Sequence, residues 1–312
     1  MNIRELTVSP ELEDQAQALQ DSGKVSRINI EYPDTGWRDG VEFTLLSLDE
    51  IGTLPDVLLQ QVTDFCIIGD TLVEPGGNVG WHSEYDDRGT HLYLDYPEDK
   101  RTEVGFGNLQ SFEKLSKLTG LRRLVIFGQP LESLEGIRNL RELEDLWISD
   151  CSSLEDISQI YALTSLRNLN LNGLGIRSLE GVQNLRNLEE LRIPECHQIT
   201  DFSALSGLSD SIRTLQFCNQ PAEDWMEYIP EHGLNRLELI NCFQNQEELE
   251  TVLQKYPDVQ ELCLSWNQNV TDLTPLLSMK NLTKVTVSFD MGTAIMSLDG
   301  KDYAFELEIE GE

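Results

Sequence analysis

The chain has 312 residues, 39% of them apolar, and sets 55 acidic side chains against 23 basic ones for a formal net charge of −32. Such a charge repels nucleic-acid phosphates and anionic bilayer surfaces, so nucleic acid and membrane are excluded as partners and basic proteins are favoured; keeping the chain soluble is the other use of acidity. No stretch approaches the 18 or more apolar residues of a membrane span. The start, MNIRELTVSPELEDQ, lacks the basic-then-apolar order of a secretory signal, and six scattered cysteines without C-x-x-C pairs fit reduced thiols. The expected location is cytoplasmic.

In chain order, residues 9–20 open with a helix signal: Ser9 as N-cap, Pro10 at the first helical position and acids in the first turn. Leu12, Ala16 and Leu19 then share a face. This predicts a capping helix. Val25-x-x-Ile28-x-Ile30 and Val62-x-x-Phe65-x-Ile67 each predict a short strand, and Leu92 with Leu94 predicts another. Between them, 32–41, 74–90 and 95–107 are rich in Gly, Pro and Asp and predict loops.

From Leu121 the pattern becomes regular. Leading apolar residues recur at Leu121, Leu143, Leu166, Leu188, Ile212, Leu234, Val259 and Leu282, at spacings of 22 to 25 residues. Each is followed by apolar residues three and five positions later, such as Leu169 and Leu171. A strand of that kind followed by a return segment cannot bury its apolar side alone, so the units must stack. The pattern resembles the leucine-rich repeat family, whose unit runs L-x-x-L-x-L-x-x-N/C-x-L, and its short class of phosphatase-regulatory and internalin-type proteins. Cys151, Cys196, Cys242 and Asn267 hold the Asn/Cys position, while Gln129, Leu174 and Gln220 depart from it. The resemblance implies an α/β solenoid: a right-handed arc with a parallel β-sheet on its concave face. It specifies fold rather than function.

Residues 221–229 and 246–256 predict helices within the later repeats. Asp299-Gly300, flanked by 295–298 and 303–309, predicts a C-terminal β-hairpin cap. The expected organisation is therefore an N-terminal cap with irregular repeats at 1–108, regular repeats at 109–289 and the hairpin cap at 290–312.

Strand alternation places the residue between the second and third markers, and the one two further on, outside the core. Tyr93, Val125, Phe127 and Trp147 then form an outward aromatic and apolar cluster, which marks an interaction site, unless the 95–107 insertion folds over it as local core. Glu190, Glu238 and Arg192 lie among the charges around it, and Trp81, Tyr85 and Tyr96 in the 74–106 insertion form a second candidate contact. Trp266 and Phe289 form a smaller candidate, with packing against the terminal hairpin as its alternative.

Enzymatic patterns are weak. His82 and His91 near Asp86 and Asp87 match no ligand spacing. Cys196 and His197 are adjacent and point apart on a strand end. Gly76-Gly77 is followed by no phosphate-loop Lys-Ser/Thr. No catalytic, metal or cofactor residue is expected. The expectation is a non-enzymatic cytoplasmic module, favouring a monomer, that binds a basic protein through its concave face and N-terminal loops. The alternatives are an immunity or inhibitor protein neutralising a basic toxin or nuclease, a scaffold or phosphatase-regulating subunit, and a metal-dependent enzyme using the 82–91 loop.

Overall fold

The computed structural model describes residues 2–6, 25–27, 41–44, 51–52, 56–60, 62–73, 80–86, 89–96, 100–231 and 233–311. Contacts divide the chain into two compact units, Met1–Leu166 and Arg167–Glu312.

In the first unit, β1 (Asn2–Leu6), β2 (Val25–Arg27) and β3 (Val41–Thr44) pair antiparallel in the order β1-β3-β2. The strand at Val25 is thus not a repeat strand. A parallel repeat strand needs a crossover that buries a return face, and the chain after Ile30 offers turn residues (Tyr32-Pro33-Asp34-Thr35-Gly36) in its place. The helix expected at 9–20 lies outside the described residues. After the short α1 (Asp56–Leu59) comes β4 (Asp64–Ile68), the first ladder strand, which turns back at Gly69-Asp70 into β5 (Thr71–Val73).

Next, β6 (Gly80–Asp86), β7 (Gly89–Tyr96) and β8 (Lys100–Val104) form a second antiparallel sheet in chain order. The loops expected at 74–90 and 95–107 therefore contain strands, and Leu92 and Leu94 belong to this sheet and not to the ladder. The reason is visible locally. β6 and β7 pair without a break from Gly80↔Asp95 to Asp86↔Gly89, and their apolar and polar residues alternate along β7 as in an antiparallel sheet with one covered face. The ladder resumes with β9 (Arg123–Phe127) and β10 (Asp145–Ser149), parallel to β4 in the order β4-β9-β10.

The second unit is a run of parallel strands, each hydrogen-bonded to the next: β11 (Asn168–Asn172), β12 (Glu190–Pro194), β13 (Thr214–Cys218), β14 (Arg236–Ile240), β15 (Glu261–Cys263), β16 (Lys284–Ser288) and β17 (Glu306–Glu310). Return segments are short 3-10 turns such as Val182–Asn184, or helices: α2 (Ala222–Trp225), α3 (Gln246–Lys255) and α4 (Gly292–Met296). Helix α3 is started by Asn245, whose side chain accepts from the Glu248 N–H at 3.1 Å while Glu248 accepts from the Gln244 N–H at 2.8 Å. It buries Leu249, Val252 and Leu253, with Tyr256 just beyond its end.

The expected C-terminal hairpin is not formed. Glu306–Glu310 pairs parallel with β16, and Asp299-Gly300 instead follows the end of α4, where the Asp299 N–H bonds the Met296 carbonyl and Gly300 has φ +68°. A left-handed glycine serves a tight hairpin or a helix C-terminus equally well. Here buried Ala294, Leu298 and Phe305 reward the crossover.

Two columns tie consecutive repeats together. At the eighth residue after several of the leading positions, buried side chains donate to carbonyls of the previous repeat, whereas Leu174 has no donor and Cys151 Sγ bonds the Ser149 carbonyl of its own repeat. Gln129 Nε2 reaches the Gly69 carbonyl at 2.5 Å, Cys196 Sγ the Leu171 carbonyl at 3.1 Å, Gln220 Nε2 the Cys196 carbonyl at 2.8 Å and Asn267 Nδ2 the Leu239 carbonyl at 2.6 Å. The two glutamines therefore do the work of Asn or Cys. Burial pushes the thiols of Cys66, Cys151 and Cys242 up to about 12 and that of Cys196 to about 11, and all six cysteines are free and buried. One residue earlier, the chain turns through the left-handed region at Gly69, Gly128, Asp150, Gly173, Glu195, Asn219, Asn241 and Trp266, with φ between +50° and +65°.

Candidate functional site

Outward positions of the first unit begin with two columns. On β4 and β9, Cys66 pairs with Val125 and Ile68 with Phe127. These four are not open to solvent: Val125 is 8% and Phe127 4% exposed. With Val73 of β5 and Leu92 and Leu94 of β7 they form one apolar cluster, against which Val104 of β8 also packs. The second sheet has closed over the ladder, so the expected open cluster of Tyr93, Val125, Phe127 and Trp147 does not form. The sequence did carry a signal for this. Phe65-Cys66-Ile67-Ile68 and Leu124-Val125-Ile126-Phe127 are continuous apolar runs, the mark of strands covered on both faces. On β10 the apolar run stops at Ser149, and on β11 it breaks into alternation, Leu169-Asn170-Leu171-Asn172.

Trp147 stays on the surface, 36% exposed, beside Val125 on the neighbouring strand. Nearby, Arg123 lies 3.8 Å from Asp64 and 3.7 Å from Asp145. These long, exposed pairs contribute little to stability but set charged groups around the indole.

Tyr93 is on β7, on the opposite face of the covering sheet from Leu92 and Leu94. Its ring stacks on His82 at 5.4 Å, and the Arg101 guanidinium sits 3.6 Å over it. Around it His82 Nδ1 meets Asp95 at 2.6 Å and Arg101 meets Glu84 at 2.7 Å. His91 lies between Glu103 (Nδ1, 2.7 Å) and Asp86 (Nε2, 3.1 Å). An imidazole facing carboxylates on both nitrogens donates to both only as imidazolium. Glu103 first, and Asp86 second, accordingly raise the His91 pKa above its ordinary value. A raised folded-state pKa stabilises the sheet fully below the unfolded histidine value, and the contribution fades as pH rises through the folded value. NMR titration of the His91 ring should give a pKa above about 6.5, and Glu103→Gln should lower it; an unchanged midpoint would mean that Glu103 does not hold the ring. Tyr96, at the end of β7, is exposed, while the side chains of Trp81 and Tyr85 on β6 lie outside the described residues. Among the described residues no group of three or more His, Cys, Asp or Glu side chains is disposed to hold a metal ion.

In the second unit Arg192 bonds Glu190 and reaches Glu238 at 3.3 Å, while Arg236 bonds the same Glu238 at 2.7 Å and Glu261 at 2.8 Å. Glu238 is buried, and two guanidiniums supply its charge balance. Glu190, Arg192 and Glu238 thus form an internal chain of ion pairs across β12, β13 and β14. Cys196 is buried and bonds the Leu171 carbonyl, whereas exposed His197 pairs with Glu195 at 2.9 Å, so the adjacent pair points apart as expected. Trp266 and Phe289, by contrast, are 56% and 64% exposed and not packed against a hairpin.

No protein-family model matches the chain, and no curated protein does. Among solved structures, an internalin F from Listeria monocytogenes aligns with a TM-score of 0.51 at 17% identity, over 84% of this chain and 67% of its own. The fold is a leucine-rich repeat. Internalin C2 of the same species (18% identity, 78% of this chain and 92% of that one, TM-score 0.49) and a leucine-rich-repeat protein of Leptospira interrogans (17%, 66% and 65%, TM-score 0.33) align less closely. The leucine-rich repeat explains the buried marker columns and the Asn/Cys ladder; which outward residues recognise anything is a property of this chain's own side chains. No helix among the described residues is long and apolar enough to cross a membrane.

Proposed function

We propose that the chain is a non-enzymatic protein-binding module whose partner is basic. The observation that carries this is a stacked parallel sheet, held rigid by its buried columns, that presents Trp147 on its outer face within a chain of net charge −32. A preorganised sheet loses little ordering entropy on contact, and an acidic field speeds encounter with a cationic partner. Six buried free thiols support a reducing, cytoplasmic setting. The paired imidazoles of His82 and His91 support a structural role for the residues that an enzymatic reading would use.

Trp147→Ala should leave the melting temperature near that of the wild type and weaken partner binding by about 2 kcal/mol or more, read by titration calorimetry against the captured partner. Unfolding of the variant would make Trp147 a packing residue; unchanged affinity would remove it from the interface.

A further inference from the structure

The left-handed turn after the ladder strands from β4 to β14 is filled by glycine or by polar residues: Gly69, Gly128, Asp150, Gly173, Glu195, Asn219 and Asn241. The next two repeats break the series. The same position, seven residues after Val259 and Leu282, holds Trp266 and Phe289, of which only Trp266 is left-handed and Phe289 opens the 3-10 turn Phe289–Met291. Trp266 adopts φ +65°, a conformation in which a bulky side chain is a genuine outlier, and its N–H is held by Ser288 Oγ at 2.6 Å. Neither aromatic is buried in exchange; they are 56% and 64% exposed, each just past the end of one of two neighbouring strands, β15 and β16. Together they present on the order of 250 Å² of aromatic surface, and Trp is among the side chains most used as interface anchors. Two carboxylates flank them. Asp290 accepts from Gln268 Nε2 at 2.6 Å, and Glu310 accepts from Ser265 Oγ, next to Trp266, at 2.8 Å. Among the described residues neither carboxylate is in a salt bridge, and hydrogen bonds from Ser288 and Gln268 hold the Asp290 carboxyl below its usual range.

We propose that Trp266 and Phe289, with Asp290 and Glu310, form a docking site at the strand ends of the second unit for an arginine-bearing segment of a basic protein. The planar guanidinium stacks on the exposed rings, which an ammonium does less well, and its charge meets the unpaired carboxylates. The site rests on the reading that the partner is a basic protein, and adds where it is gripped and by which side chain. It also explains why the least suitable residue occupies the turn: local strain of this kind persists where binding uses it.

The test uses the full chain and two probes of equal length, an alternating Arg-Gly peptide and an alternating Lys-Gly peptide, at low salt. The wild type should bind the arginine peptide more tightly. Trp266→Asn combined with Phe289→Ala leaves every charge in place and should weaken the arginine peptide at least fivefold and abolish the preference over lysine. Trp266→Asn alone should keep or raise the melting temperature, since asparagine already fills this turn at Asn219 and Asn241; a clear fall would make Trp266 a packing residue and overturn the site. Undiminished arginine binding by the double variant overturns the site but leaves the basic-partner reading standing. Failure of the wild type to bind either peptide overturns both.

Discussion

Leu169→Ala should destabilise the chain by about 2–5 kcal/mol. Leu169 is buried on β11 and paired in register with Leu191 on β12, and both sit in a column that continues through Leu215, Leu237 and Leu262. Removing three carbons there opens a cavity that stacked neighbours on rigid strands cannot fill by collapse. In a repeat fold the stability of each unit depends on its neighbour interfaces, so the loss is not confined to one strand. Urea unfolding followed by far-UV circular dichroism measures it. Gln216→Ala, at an outward position on β13, is the matched control and should stay within about 0.5 kcal/mol of the wild type. A wild-type midpoint for Leu169→Ala would contradict the stacked interior.

Gly69→Ala should be as severe, about 3 kcal/mol or more, for a different reason. Gly69 turns at φ +55°, and an added Cβ would lie 2.0 Å from the carbonyl oxygen of Gly105. The obstacle is backbone, not a flexible side chain. The Gly69 N–H bonds the Phe127 carbonyl, its own carbonyl accepts from buried Gln129, and the Asp70 N–H bonds the Gly105 carbonyl. Relieving the clash separates the segment after β8 from the ladder and lifts the cover from Val125 and Phe127. Hydrogen exchange should then show β6, β7 and β8 opening before β9 and β10. Uniform exchange across both sheets would mean that this seam does not hold the cover.

The repeat itself was legible because its spacing and its marker columns are set by burial, and every leading residue from Leu121 to Leu282 is buried. Helix α3 was legible for the same reason, through the stripe of Leu249, Val252, Leu253 and Tyr256. Pairing partners were not. Leu92 and Leu94 satisfy the spacing of a ladder strand and of a one-sided antiparallel strand alike, and only long-range packing onto Val125 and Phe127 decides between them. Asp299-Gly300 was ambiguous because hairpins and helix ends use the same left-handed glycine. Gln129 and Gln220 read as breaks in a polar ladder, yet the longer amide reaches the same carbonyls. The candidate site suffered most. Strand alternation makes the outward place of Trp147 on β10 legible but not the burial of Ser149 two residues on, and the continuous apolar runs of β4 and β9 announce a cover without naming the sheet that supplies it.

The proposal of a basic partner is tested most directly by the salt dependence of binding to the protein captured on the immobilised chain from its native host. The expected partner is rich in lysine and arginine, and its affinity falls steeply as salt rises from 50 to 500 mM. An acidic partner, or an affinity unmoved by salt, would contradict it.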